Sequence, residues 1–268
     1  MTNTHDLQID DEILPLFDFT FNVYSGEAVH DIITKLLGSK EEILFRQQLL
    51  KGFIANREIL KDYSYSRFDL SEIHSFLETF FAGSFSRMGM RLKFMFSEKA
   101  KQQKRGRLIL LVRLFHKIHS DYLSRIDTKL FPPEYGTELE SIREFFAGFD
   151  LDRYESAFRK NKFRIRHIVE LMTILTEKIM NGQAAAFWKR WFLFEAYLSI
   201  SEGIVKHGYV FPSFDEADFV LEGFYHPVLK SPVKNDFTAR NHVILLTGPN
   251  MSGKSTLLKA VSLCVYLG

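Results

Sequence analysis

The sequence predicts a mainly α protein: a body of long helices followed by the first part of an α/β domain. Three observations predict it. Between residues 26 and 208 apolar side chains recur at helical spacing, interrupted by capping and breaking residues. Around 209 this spacing gives way to short β-branched and aromatic runs among turn residues. From 243 onward an apolar run, a glycine-rich turn and a helical pattern follow one another. These observations divide the chain into an N-terminal segment 1–38, a helical core 39–208 and an α/β part 209–268.

Taken in order, residues 1–25 mix Asp6, Asp10, Asp11, Glu12 and Asp18 with Ile13, Leu14, Leu16, Phe17, Phe19 and Phe21. They fit either a cap on the helical core or a partial strand. Val29, Ile32, Ile33, Leu36 and Leu37 share one helix face, and Gly38 is placed to end that helix. Ser39 with Glu42 forms a capping box for the next, striped by Ile43, Leu50, Phe53 and Ile54. Asp69 with Glu72 opens another, with Ile73, Phe76, Leu77 and Phe80 leading to a stop at Gly83. Leu108, Leu111, Phe115, Ile118, Tyr122 and Ile126 continue the theme until Phe131-Pro132-Pro133 breaks it.

Thr137 with Glu140 caps a short helix ending near Gly148. Asp150 then starts the longest expected helix, running through Tyr154, Phe158, Ile165, Ile168, Met172, Leu175 and Ile179 to Asn181-Gly182. The last helix of the body carries Phe187, Trp191, Phe194, Leu198 and Val205, with Gly208 past its end. Beyond it, Tyr209-Val210-Phe211-Pro212 reads as extended, and Phe219-Val220-Leu221 and Val228-Leu229 as short strands.

Composition narrows the class. Phenylalanine is abundant, at 27 residues, and at helical spacing it fills seams between long helices. A net charge of +2 supplies no global attraction to nucleic acid. One cysteine, Cys264, excludes an intramolecular disulfide and suits a reducing compartment. No run approaches the ~20 apolar residues that span a bilayer, and no signal-peptide pattern opens the chain. A cytoplasmic protein without a membrane partner is expected.

Val243-Ile244-Leu245-Leu246, bounded by Gly248-Pro249, predicts a buried strand. Residues 248–255 then fit the phosphate-loop pattern G-x-x-x-x-G-K-[ST]. Leu257, Leu258, Val261 and Val265 recur at helical spacing behind it, with Ala260 and Cys264 small enough for close packing. The glycines let backbone N–H groups turn inward around phosphates, and the helix dipole adds to the same anion. Lys254 is expected to be the catalytic cation that reaches the β- and γ-phosphates, and the Ser255 hydroxyl to be the Mg²⁺ ligand. Gly248, Pro249, Asn250, Met251, Ser252, Gly253, Lys254, Ser255 and Thr256 are the expected nucleotide-binding set, with ATP and Mg²⁺ as cofactors.

Gly-Pro-Asn-Met-Ser-Gly-Lys-Ser-Thr over 248–256 resembles the phosphate loop of the MutS family of mismatch-repair ATPases, where Asn-Met after Gly-Pro is a family habit. Leu-Glu-Gly-Phe-Tyr-His-Pro-Val-Leu over 221–229 is similar to the family's Gly-Arg-His-Pro-Val segment, and Asn235-Asp236 sits where the family has Asn-Asp. The likeness is specific over 221–268, and looser from about 40 to 220. It implies lever helices feeding a P-loop ATPase domain, with ATP switching a dimeric helical clamp on double-stranded DNA. It also implies a homodimer formed through the ATPase half and a nucleotide near His226.

The family's aromatic adenine-stacking position falls near Pro232-Val233, neither of them aromatic. Its magnesium-binding Asp-Glu and signature serine lie further on than Gly268, so this chain alone is expected not to turn over ATP. No counterpart of the family's mismatch-reading domain is expected. Phe76-Leu77-Glu78 and Phe96-Ser97-Glu98 match its Phe-x-Glu wedge, as a Phe-rich chain does by chance.

Arg87, Arg91, Lys93, Lys99, Lys101, Lys104, Arg105, Arg107, Arg113 and Lys117 form a basic stretch broken only by Glu98. Such runs are either solvated helix faces or phosphate contacts. Lys101, Lys104, Arg105 and Arg107, around a bend at Gly106, are the DNA contact that the resemblance implies. Arg159, Lys160, Lys162, Arg164 and Arg166 form a second cluster. His116 and His119, with Asp121 near, have helical spacing but no second ligand group, and read as solvated or core histidines. Two other readings remain: an ATP-switched helical adaptor that binds protein without DNA, and, less fitting, a phosphate-loop kinase.

Overall fold

The computed structural model describes residues 5–79, 98–214, 218–240 and 243–268. The helix stop at Gly83 and the basic residues Arg87, Arg91 and Lys93 lie outside them, as do the side chains of Lys99 and Lys101. Ten helices and one two-stranded sheet are described, and the protein is mainly helical. Among the described residues no helix is long and apolar enough to cross a membrane.

Residues 5–16 form short turns, His5–Leu7, Ile9–Ile13 and Leu14–Leu16, and no strand. Helix α1, Val23–Thr34, starts where the Asn22 side chain accepts from the Ser25 N–H. It stops before Gly38, leaving Leu36 half exposed instead of on the buried face. Helix α2, Lys40–Ala55, is capped as its sequence predicts. The Ser39 hydroxyl accepts from the Glu42 N–H, and the Glu42 carboxylate accepts from the Gly38 N–H.

After a single turn, α3 (Arg57–Leu60), helix α4 covers Arg67–Thr79. The cap of α4 is the Ser66 hydroxyl, which accepts from the Asp69 N–H, so Asp69 does not open the helix. Helix α5, Glu98–His116, continues as wider turns through Leu123. Helix α6, Pro133–Ala147, starts at a proline in its first turn, and Thr137 lies inside it, bonded to the Pro133 carbonyl. That replaces the expected Thr137 cap.

The expected longest helix is divided in two: α7, Leu151–Arg159, and α8, Ile165–Met180. Asn161 takes a left-handed conformation, φ 52°, and the Lys162 N–H bonds to Ala157 O at 2.7 Å. Phe163 then turns into the core. The longest described helix is α9, Gln183–His207, ended by a left-handed Gly208.

Helix α9 organises the body. Phe187, Trp191, Phe194 and Leu198 lie in the main core, while Ala196 and Ile200 face a second cluster. Phenylalanine fills the seams, as its spacing predicts. Phe145 stacks on Phe187 at 4.1 Å, and Phe115 meets Phe145, Phe146, Phe149 and Phe187 edge-on. The second cluster joins Ile9, Ile13 and Phe17 to Val29 and Ile32 of α1, Leu50 of α2 and Ile200 of α9.

Side chains of α9 also hold the N-terminal segment by its backbone. The Phe19 N–H donates to Ser199 Oγ, which donates to Phe17 O, both at 2.6 Å. The Phe21 N–H donates to Glu195 Oε1 at 2.6 Å. Glu195 Oε2 accepts from the hydroxyls of Tyr65 at 2.6 Å and Tyr63 at 3.3 Å.

Gly203 of α9 meets this segment with no room to spare. A Cβ there would lie 2.5 Å from Leu16 O and 2.9 Å from Phe17 Cδ1. Gly203→Ala is expected to destabilise by about 1–3 kcal/mol through overpacking. Gly106→Ala, with nothing within 4 Å, is expected to stabilise by roughly 0.5–1 kcal/mol through helix propensity. Urea midpoints of the two variants check the contrast. An unchanged midpoint for Gly203→Ala would mean that the N-terminal segment is not held against α9.

Past α9, β1 (Phe219–Phe224) pairs antiparallel with β2 (Asn235–Ala239), Phe219 opposite Ala239 and Leu221 opposite Phe237. The register is irregular between Leu221 and Phe224, where the Gly223 N–H donates to Asp236 Oδ1 at 2.7 Å. Val228-Leu229, expected as a strand, is an exposed turn. Helix α10, Lys254–Leu267, places Leu263 in the second cluster beside Ile9 and Ile13.

Candidate functional site

Residues 248–256 form a loop that turns into the first turn of α10. Gly253 immediately precedes the helix, at φ 85°, and contributes no side-chain cap. The first helical bond is Leu257 N–H to Gly253 O. The N–H groups of the first turn before it therefore have no intrahelical acceptor, and the dipole adds its positive end. Met251, at φ 65°, is left-handed without being a glycine, and its side chain is fully exposed. A Cβ on Gly248 would lie 3.2 Å from Ser252 Oγ, so the loop closes tightly there.

The Lys254 stem folds back over this loop. Its Nζ donates to Gly248 O at 2.7 Å and Pro249 O at 2.5 Å. Ser255 is exposed beside it and Thr256 half-buried, while Pro249, Asn250 and Ser252 are exposed. The donor set suits an anion: a lysine ammonium, helix N–H groups and the three hydroxyls of Ser252, Ser255 and Thr256, with no carboxylate in the loop. For Mg²⁺ it offers one hydroxyl, Ser255, which fits a metal whose other ligands come from bound phosphates and water.

One expected part is not formed. Val243, Ile244, Leu245 and Leu246 are neither strand nor buried; Val243 is 76% and Leu245 85% exposed. The described sheet holds only β1 and β2, and a strand has no ladder without a partner.

His226 is buried at the exit of β1. Burial lowers its basicity, opposed in part by the Glu12 carboxylate and reinforced to a smaller extent by the Lys259 ammonium. The imidazole is therefore neutral at pH 7, between the N-terminal segment and α10. Its charged neighbours are Glu12 and Lys259 in the second turn of α10, not Lys254.

The basic residues divide by partner. On α5, Arg107 lies over the Phe76 ring at 5.6 Å, with Nε 4.0 Å from Glu72 Oε2. Arg105 buries its Nε, and Lys104 is half-buried. Further along the same helix, Arg113 lies over Phe158 of α7 at 5.8 Å. That contact brings the first basic run against the second. Lys160, Lys162 and Arg164 are exposed on the α7–α8 turn and Arg166 in the first turn of α8, while Arg159 pairs with Glu155. The run of charge was visible in the sequence; its junction with α5 was not, because it depends on the break at Asn161.

His116 and His119, read from the sequence as solvated or core histidines, serve pairing and packing. His116 Nε2 meets Asp152 Oδ1 at 2.9 Å, and His119 packs on Phe146 with its basicity lowered, mainly by burial. Among the described residues no group of three His, Cys, Asp or Glu side chains could hold a metal. Phe76 and Leu77 are core residues, in keeping with their exclusion as a wedge.

Known proteins resemble this chain in part. It is 38% identical over 76 residues to the DNA mismatch repair protein MutS of Thermus thermophilus, covering 27% of this chain and 9% of that one. To MutS of Fusobacterium nucleatum it is 33% identical over 131 residues, 44% of this chain and 14% of the relative. To MutS of Desulfitobacterium hafniense it is 27% identical over 169 residues, 57% and 20% respectively. The chain thus spans 9–20% of the length of these relatives. No protein-family model matches it, and no solved structure matches it. The partial likenesses support a MutS-like family of DNA mismatch repair proteins.

Proposed function

We propose that this chain carries the helical core and the first part of the ATPase domain of a MutS-like protein, in which ATP and Mg²⁺ switch a dimeric clamp on double-stranded DNA. The observation that carries the reading is the 248–256 loop, with its uncapped helix start and the Lys254 ammonium held across it. Lys254 would exchange the Gly248 and Pro249 carbonyls for phosphate oxygens. The N–H groups at the start of α10 would hold the same phosphates, and Ser255 would take its place beside Mg²⁺. The ion's contribution is to neutralise phosphate charge.

Contact between the loop helix and the body supports the switching part of the proposal. Leu263 of α10 shares a cluster with Ile9, Ile13 and Ile200, so α10 cannot move without disturbing the N-terminal segment on α9. Homodimerisation belongs to the same reading. Its support is the apolar surface of Ile244, Leu245, Leu258 and Val265, which another body must cover.

DNA binding rests on the two basic sets that Arg113 and Phe158 join. It is tested by anisotropy on matched and mismatched duplexes over a range of salt, using the full-length protein. Sequence-independent binding is expected, with a log–log slope near −0.9 per phosphate neutralised. Replacing Lys101, Lys104, Arg105 and Arg107 with Gln, or Lys160, Lys162, Arg164 and Arg166 with Gln, should each make the slope shallower. Every phosphate left without its cation lowers the slope by roughly one unit. Because Arg105 and Arg107 are partly engaged within the protein, the second set is expected to have the larger effect. Matched and mismatched duplexes should bind alike. An unchanged slope in both variants moves the DNA-binding surface elsewhere, and no binding at low salt favours the protein-binding adaptor.

A further inference from the structure

A cleft of about 520 Å³ opens where α1, α4, α8 and α9 meet, away from the 248–256 loop. That volume lies within the ~300–1,000 Å³ of clefts that hold ligands. Its wall is aromatic: Phe192 stacks on Tyr24 at 4.9 Å and on Trp188 at 5.6 Å, and the His74 ring meets Tyr24 at 4.8 Å. Its floor is aliphatic, with Leu77, Ile179 and Ala184. Tyr24 is 42% exposed, a large ring surface left to solvent.

The rim is acidic. Glu27, Asp31 and Glu78 line the cleft, and among the described residues Lys189 is the one Lys or Arg side chain that does. Two of the carboxylates have histidine neighbours: Asp31 lies 3.6 Å from His30, and Glu78 lies 3.6 Å from His74. Burial lowers the basicity of His74, which leaves the aromatic wall uncharged at pH 7. Ring faces attract cations, and they do so more strongly where carboxylates stand beside them.

The shape narrows the occupant. Lining residues run from Tyr24 to Asp31 along α1 and from Ala184 to Leu193 along α9. At ~1.5 Å per helical residue these edges are about 10–14 Å long. An extended peptide advances ~3.3 Å per residue and would fit with about three or four residues. The carboxylates repel nucleic-acid phosphate, which sets this surface apart from the basic one.

We propose that this cleft docks a basic segment of a protein partner: one Arg or Lys laid on the exposed Tyr24 ring beside Glu27 and Asp31, with its aliphatic neighbours on the partly exposed Phe192 and Leu193. The charge complementarity is local. Glu27 and Asp31 stand one helical turn apart on α1, and Glu78 closes the other wall.

The test is calorimetric titration of the full chain with acetyl-Leu-Arg-Leu-Leu-amide and with its citrulline analogue, which keeps the shape and loses the charge. One-to-one binding of the arginine peptide is expected, with the citrulline peptide about ten-fold weaker or more. Glu27→Gln combined with Asp31→Asn, both on the surface, should weaken the arginine peptide by about ten-fold. Tyr24→Leu should weaken both peptides. Circular dichroism of each variant should be unchanged. Equal affinity for the two peptides, insensitivity to the double variant, or no heat up to about 1 mM peptide would overturn the proposal. Displacement of the peptide by benzyltrimethylammonium at equal concentration would overturn it in favour of a small organic cation.

Discussion

Lys254→Ala is expected to weaken ATP binding by about 2–5 kcal/mol, the range for removing one side of a close charge pair. Lys254 Nζ stands over the loop, bonded to Gly248 O and Pro249 O, and those carbonyls are poor substitutes for a polyphosphate. The other basic side chain nearby on α10, Lys259, points to Gln8 Oε1 at 3.5 Å and does not replace it. Because Lys254 is on the surface side of its helix, the variant should keep the circular dichroism and melting curve of the wild type. Titration with a fluorescent ATP analogue and Mg²⁺ measures the difference. Equal affinities would remove the phosphate-loop assignment. An unfolded variant would instead show that the Lys254 bonds to its own loop hold the fold.

Glu195→Ala is expected to cost about 3–5 kcal/mol of stability, as for breaking other buried charged contacts. Three donors are left without their acceptor at once: the Phe21 N–H and the Tyr65 and Tyr63 hydroxyls. Each buried donor left unpaired costs about 1–3 kcal/mol, offset in part by relief of the buried charge. Urea denaturation gives the total, and faster amide exchange at Phe19 and Phe21 would locate it. A loss below about 1 kcal/mol would mean that these bonds do not hold the segment.

The same carboxyl has a pH signature. Burial raises its pKa, the hydroxyl and N–H donors opposing, so the folded state favours the protonated form. Its share of stability is present below the ordinary value of 4.5 and is lost as pH rises through the raised value. Wild type should therefore lose stability relative to Glu195→Gln over the window that begins at the ordinary value of 4.5 and runs upward through the raised one. A constant difference across that window would contradict a raised pKa.

Much of the body was legible because a helix announces itself locally. Ile73, Phe76 and Leu77, or Phe187, Trp191 and Phe194, lie on one face at any tertiary arrangement. The caps at Ser39 and Gly208 were readable for the same reason. Asp69 and Thr137 misled because a neighbouring Ser66 or proline offered a better start. The break between α7 and α8 was hidden in Lys160-Asn161-Lys162, where only the left-handed Asn161 marks it. Strands fared worst: Val243-Ile244-Leu245-Leu246 has strand composition, but strand formation needs a partner that no local pattern supplies. Of the candidate site, the loop and helix were legible as a spacing motif, while the link from α10 to residues 9–17 joins segments distant in the chain.

That last kind of link also sets the order in which the chain can assemble. Phe19 and Ser199 are 180 residues apart in the chain, and Phe21 and Glu195 are 174 apart. During synthesis at ~5–20 residues per second, the N-terminal segment waits about 10–35 s before α9 has been made. Throughout that interval Ile9, Ile13 and Phe17 have no α9 to rest against, and their apolar surface is open to other partners. Native closure is then a late event whose loop entropy must be overcome in one step. The nascent protein should depend on holdase chaperones more than its helical content suggests, and refolding yield should fall steeply with concentration.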